Sequence, residues 1–371
     1  MGEQVDLPFG LATSVGALPF ETIPDAKTAP EAGQDVGSDA APDQCVAAVQ
    51  LALTSQPAFP TAPTSGAAEW SLLSQAIAGL EGLETVAPGI LTRSGNSGEI
   101  TGCDQAGQLN APAFQPLHAF LDQLGPHSER LGDRFVGSRI GILGPVTLSL
   151  AFRAAGLATE QAVASAALIV AARARAILRA YRVAMPSGAV AVVMSEPGLV
   201  GAMHPTFPLS PTQVLALLAP AVSALDQLPR SEPDQGLLIG VHVPGRTDWD
   251  TIISSGVSLI SAPAESGLPG WSATLSEFLA AGGRVAWGVV PVNQPLGSRE
   301  DLLWRRLSAV WCQLSSEGVD PLLLRSRSLI SPEDGLGHFG VSQATLALGL
   351  VDSLSDRVRR QAIGARLSLG A

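Results

Sequence analysis

A carboxylate placed directly behind an apolar run is costly unless it is hydrogen-bonded or opens into a cleft. Glu196 is such a residue, separated from the run Ala189–Met194 by Ser195 alone. His242 falls near the end of a second run, Leu237–Val243. An imidazole there can serve as acid, base or metal ligand, or simply be a satisfied structural group. Other run ends carry Gly16-Ala17-Leu18-Pro19, Gly144-Pro145-Val146-Thr147, Pro263-Ala264-Glu265, Trp287-Gly288-Val289-Val290-Pro291 and Ser331-Pro332-Glu333-Asp334-Gly335. Gly and Pro at such places are also ordinary turn punctuation. Asp248-Trp249 reads as a helix start, with the Asp favoured at the positive end and the Trp packing beneath. His204 and His338 follow run ends closely enough to overhang a pocket, while His118 and His127 receive no role. Arg173, Arg175 and Arg179 share a helical pattern and read as a solvated face. No G-x-S-x-G, P-loop or H-E-x-x-H occurs, so hydrolase, nucleotide-binding and zincin chemistry lack motif support.

The elements that must position these residues alternate in type. Short apolar runs predict strands at Ser138–Leu143, Ala189–Met194, Leu237–Val243, Val257–Ser261, Arg284–Val290 and Leu322–Leu329. Near-continuous apolarity suits strands covered on both faces of a parallel sheet. Helical patterns follow at Ala158–Tyr181, Pro211–Gln227, Asp248–Ser255, Ser272–Ala281, Arg299–Ser316 and Ser342–Ser353, with Thr247, Ser272 and Ser342 at N-cap positions. Leu11–Leu18 and Val86–Leu91 supply two further strands, which predicts an α/β chain folded as a (β/α)8 TIM barrel. An open doubly wound sheet is the alternative, weakened by the lack of G-x-G-x-x-G before any helix. Residues 1–371 read as a single domain, with 22–135 irregular and loop-rich around short helical stretches at Gln44–Thr54 and Trp70–Leu83. Thr92–Asn110 reads as an exposed loop.

The 371 residues are 46% hydrophobic and 15% charged, with a net charge of −11. That apolar content excludes disorder of the whole chain. The negative balance argues against nucleic acid and anionic membrane as partners and leaves a small molecule. Oligomeric state is not legible. Cys45, Cys103 and Cys312 are odd in number and show no C-x-x-C spacing, so a reducing cytoplasm is expected. The start, Met1 to Asp6, lacks the basic and apolar regions of a signal peptide. The longest apolar runs, Ile140–Phe152 and Ala162–Ala172, fall short of a membrane span.

Taken in order, these run ends resemble the catalytic barrel of cobalamin-independent methionine synthase. They resemble more broadly the superfamily it forms with uroporphyrinogen decarboxylase and corrinoid-linked methyltransferases. Ala12-Thr13-Ser14-Val15-Gly16-Ala17-Leu18-Pro19 is similar to the opening T-x-x-G-S-x-P, and Pro57 to Pro63 to a proline-rich stretch of short stand-alone members. Gly144-Pro145-Val146-Thr147 is similar to G-P-V-T, and Ser195-Glu196-Pro197 to D-E-P. Gly240-Val241-His242 with Thr247-Asp248-Trp249 is similar to G-x-H-x-C…T-D-W. Ala286 to Pro291 resembles the strand that follows, and Ser328 to Gly337 resembles the closing S-L-x-x-P-x-C-G-L-G.

The resemblance implies methyl transfer to a thiol such as homocysteine, in methionine biosynthesis, from a folate or another methyl donor. It implies zinc, which binds the thiol and lowers its pKa. It implies catalytic roles for His242 and Glu196, and substrate contacts from Gly16, Ala17, Thr147, Ser195, Glu196 and Trp249. The chain departs from the pattern where the metal belongs. Pro244 and Asp334 stand at the two cysteine positions, and the glutamate position falls near Ala262. Ser195 and Ala17 replace the family's Asp and Ser. A remaining metal set would be His242, Glu265 and Asp334, with oxygen in place of sulfur. Three readings follow: a methyltransferase of this type, a non-catalytic or repurposed small-molecule-binding barrel, and a metal-free lyase resembling uroporphyrinogen decarboxylase.

Overall fold

The apolar runs become parallel strands in a computed structural model that describes residues 7–20, 41–65, 69–87, 89–94, 100–228, 236–294, 296 and 300–368, without the side chains of 41–43 and 362–368. The chain start, most of the 22–44 stretch, part of the Thr92–Asn110 loop and Arg299 lie outside the described residues. The strands in chain order are β1 (Leu11–Ala12), β2 (Ala17–Leu18), β3 (Thr64–Ser65), β4 (Leu83–Ala87), β5 (Ile90–Arg93), β6 (Gly137–Leu143), β7 (Ala189–Ser195), β8 (Leu237–His242), β9 (Leu259–Pro263), β10 (Arg284–Val290) and β11 (Ser328–Pro332). The helices are α1 (Ala41–Ser55), α2 (Leu72–Ile77), α3 (Gln115–Leu131), α4 (Pro145–Ala154), α5 (Thr159–Ala184), α6 (Pro211–Asp226), α7 (Trp249–Ser254), α8 (Ser272–Ala280), α9 (Glu300–Ser316), α10 (Pro321–Ser326) and α11 (Val341–Ser368).

Seven strands form one parallel sheet in the order β1-β11-β10-β9-β8-β7-β6. The order never reverses, which separates it from a doubly wound sheet, where a switch point is required. It is a curled sheet with helices, of TIM-barrel-like form. Along the outer edge of β6 runs the segment 58–62. Val136 N–H donates to Ala58 O (2.9 Å), Arg139 N–H to Pro60 O (2.9 Å) and Ala62 N–H to Arg139 O (2.8 Å). The Thr61 hydroxyl then meets Thr13 Oγ1 and the Ser14 N–H, both at 3.2 Å, so side chains link this segment to the chain leaving β1.

The two faces of the sheet carry separate apolar clusters. Leu7, Leu11, Phe59, Ala189, Ala191, Val193, Leu238, Leu259, Ala286 and Leu329 fill the inner face. A larger cluster joins the outer face to the helices. Each fully buried Leu or Val contributes on the order of 2 kcal/mol, so this double burial is what holds the strands. Side chains alternate along a strand. Two residues beyond inner apolar positions, toward the strand C-termini, the inner face turns polar: Thr13, Thr61, Ser261 and Ser331 are all buried there.

Helix starts follow local chemistry. Ser210 and Gln213 form a reciprocal capping box on α6 with Pro211 in its first turn. Asp248 caps α7 through the Thr251 N–H and hydroxyl, so it takes the cap that the spacing gives to Thr247. Ser272 is the first residue of α8 and Trp271 its cap. α5 is long and apolar enough to cross a membrane by length and composition alone, a property the shorter run Ala162–Ala172 conceals. It packs between α4 and α6, with 56% of its apolar window buried.

Three expected strands are corrected. Val86–Leu91 is not in the sheet; β4 and β5 form an antiparallel hairpin there. Leu322–Leu329 divides into α10 and β11, because Asp320 caps a helix with Pro321 at its first position. Leu11–Leu18 divides into β1 and β2, and β2 pairs with β3 instead. The stretch read as irregular contains α1 and α3.

Candidate ligand site at the strand ends

At the end of β7, Glu196 is wholly buried and its carboxylate is occupied. Oε1 accepts from the Val146 N–H (2.8 Å), and Oε2 from the Thr147 N–H (2.7 Å) and Thr147 hydroxyl (2.6 Å). The acceptors lie at the N-terminus of α4, where unpaired N–H groups and the helix dipole favour a negative charge. The Thr147 hydroxyl also accepts from the Gly198 N–H at 3.0 Å. Gly144 is needed for this approach, because a Cβ there would fall 2.1 Å from the Glu196 carboxyl carbon. Burial pushes the Glu196 carboxyl up to about 7, against the opposing pull of these hydrogen bonds. The G-P-V-T and S-E-P segments are thus two halves of one clamp.

At the ends of β8, β9 and β11 the polar groups form a chain. Arg139 Nη2 donates to Ser261 Oγ (3.3 Å), Ser261 Oγ lies 3.0 Å from His242 Nδ1, and His242 Nε2 lies 3.3 Å from Asp334 Oδ1. A carboxylate can only accept, which puts the imidazole proton on Nε2 and leaves Nδ1 to accept from the serine hydroxyl. His242 is 1% exposed, and burial lowers its pKa despite the bond to Asp334. Burial would raise the Asp334 carboxyl, but the bonds from His242 and from the Gly335 N–H (2.8 Å) outweigh it and hold it low. The Asp334 side chain is 47% exposed, so the chain leads from the sheet interior to solvent. Arg139 is 1% exposed, and its Nε and Nη1 have no partner among the described residues. Burial brings its pKa down to about 9. Such a cation without a counter-charge costs on the order of several kcal/mol.

The other expected residues separate. Trp249 is fully buried in the outer apolar cluster. Gly16 O accepts from the Thr64 N–H, and Ala17 O from the Leu336 N–H, so both fasten the chain after β1. Ser195 is partly buried, and its carbonyl holds the Gly144 N–H at 2.8 Å. Glu265 is exposed in the turn after β9 and raises the half-buried Glu333 beside it, adding to the larger effect of burial. His204 is exposed and bonds Thr206. His338 is exposed, and its charge adds a minor part to the lowering of the Asp334 carboxyl. Arg173 is buried instead of solvated: it donates to the Ala78 and Gln108 carbonyls and lies 4.9 Å from the Phe114 ring centre. Arg139 and Ser261 are not singled out by the sequence, and Glu333 enters only within the run-end motif Ser331 to Gly335. A lone arginine inside an apolar strand was the available signal.

The donors do not suit zinc. Tight zinc sites take four ligands, three of them from protein even where catalysis keeps one position open. Here His242 and Asp334 meet, both ring nitrogens of His242 are committed, and Glu265 bonds neither. Among the described residues no group of three His, Cys, Asp or Glu could hold a metal ion.

No family model and no curated protein sequence matches the chain. A solved structure of two fungal β-1,4-galactanases aligns over 62% of this chain and 81% of that one, at 15% identity. Its TM-score of 0.36 carries no argument. A B12-independent methionine synthase from Shewanella sp. W3-18-1, in complex with selenomethionine, aligns over 96% of this chain and 99% of that one. The TM-score is 0.61 at 12% identity, and this similarity shows the fold: the chain has a methionine-synthase-like α/β architecture.

Proposed function

We propose that this chain is a methionine-synthase-like barrel repurposed to bind a small molecule at the C-terminal ends of its strands. It does so without a zinc-bound thiolate. The supporting observation is the Arg139–Ser261–His242–Asp334 chain, which engages both nitrogens of His242. We read segment 58–62 as the eighth strand that closes the barrel, residues 1–371 as one domain, and the cytoplasm as its compartment. The three cysteines carry no disulfide.

A second reading is methyl transfer to a thiol such as homocysteine, from a folate or another donor. Its support is the shared architecture over almost the full length of both chains. A third, the metal-free lyase, needs cations for substrate carboxylates. Arg246 is exposed, and Arg139 adds one cation inside the sheet. Calorimetry of the purified chain against a metabolite panel, with a parallel assay for methylated thiols, separates the first two. The proposal expects a saturable ligand and no methylated product. Sustained methyl transfer by the wild-type chain rejects it.

A further inference from the structure

We propose that the interior of the sheet, beneath the strand ends, holds the carboxylate of a small carboxylic acid against the Arg139 guanidinium. This rests on the reading above that the strand ends bind a small molecule.

Arg139 enters from β6, and its head reaches Ser261 across the inner face. Ser261 pairs in register with His242, so that head lies level with the C-terminal end of β8. Among the described residues its Nε–H and both Nη1–H bonds lack an acceptor, and the partner of Nη2 is a neutral hydroxyl. Ser331 lies two residues beyond Leu329 on the same inner face, and its buried hydroxyl is also unpartnered. A planar cation and a hydroxyl, both buried, therefore face the sheet interior with donors to spare. A guanidinium fork matches the two oxygens of a carboxylate.

The surroundings select for a single negative charge. Asp334, Glu333 and the exposed Glu265 gather where β9 and β11 end, and Glu333 feels both neighbours as repulsion. A dianionic phosphate would meet these three carboxylates with one guanidinium to offset them. A monocarboxylate is balanced by Arg139 alone.

The test uses the full chain and simple probes: formate, acetate and glycolate, against phosphate, sulfate and chloride at equal ionic strength. Thermal denaturation is expected to show a saturable rise in Tm with the carboxylates, larger than with any of the other three anions. Arg139→Gln is expected to weaken carboxylate binding by at least about tenfold. Should that variant not fold, Ser331→Ala gives a second reading, with a loss of about threefold from one hydrogen bond. Indifference of the wild type to all three carboxylates overturns the proposal. So does a preference for phosphate or sulfate, or unchanged affinity in a folded Arg139→Gln. If a panel ligand binds without a carboxylate or without need of Arg139, the binding-barrel reading stands and this inference falls. If nothing binds, both fall.

Discussion

The ends of β7 and β8 hold the two residues whose types most suggest chemistry, yet the structure uses them differently. Glu196 at β7 is spent: three donors hold its carboxylate, and Gly144 is stripped of a side chain to admit it. His242 at β8 sits in a chain with surplus at both ends: N–H groups on Arg139 unpaired among the described residues, and a half-exposed carboxylate on Asp334. A carboxylate behind an apolar strand can be a structural clamp. Capacity for a ligand lies where polar atoms remain uncommitted.

The largest effect that sharpens this contrast is expected from Glu196→Ala. It leaves three donors at the α4 N-terminus without an acceptor and should cost about 3 kcal/mol, read by urea denaturation. A loss below 0.5 kcal/mol, roughly the scale of a surface change, would break the contrast. Gly144→Ala follows, at about 1–3 kcal/mol, because the new methyl meets the Glu196 carboxyl. The pH dependence comes next. The Glu196 carboxyl rises from 4.5 to about 7 on folding, so the folded state holds the proton more tightly. Its contribution is fully present below about pH 4.5 and is lost as pH rises through about 7. Denaturation midpoints across that window should fall with pH, and Glu196→Gln should flatten the slope. Asp334→Asn is expected to be smallest, within about 1 kcal/mol in stability, since Asp334 is half-exposed. A large loss there would make the β8 end as structural as the β7 end.

Much of the sheet was legible because parallel strands leave a strong imprint. Arg284–Val290 was read to the residue, and Ala189–Met194 falls one residue short of β7. Both are almost continuously apolar and rich in Val, the composition of a strand covered on both faces. The failures have equally local causes. Segment 58–62 carries Pro60 and is flanked by Pro57 and Pro63, so it reads as a loop, although Thr61 and its neighbours pair with β6. Leu322–Leu324 is apolar but not β-branched, and the cap at Asp320 turns it into a helix. α4 is hidden because its apolar residues continue those of β6 with only Gly144 between.

At the site, the sequence placed His242 and Asp334 in one set, and the structure brings them to 3.3 Å. It could not assign the roles of Glu196 and Thr147. Their partnership spans 49 positions and is made only when α4 docks beside β7. Arg139 was passed over because strand periodicity says which face a residue occupies, and nothing about whether its charge is balanced.

The central claim is that this architecture operates without a thiol-activating zinc, and metal stoichiometry tests it most directly. The full chain, equilibrated with excess zinc and then exchanged into metal-free buffer, should retain far less than one zinc per molecule. One tightly held zinc per chain, lost on His242→Ala, would contradict the account.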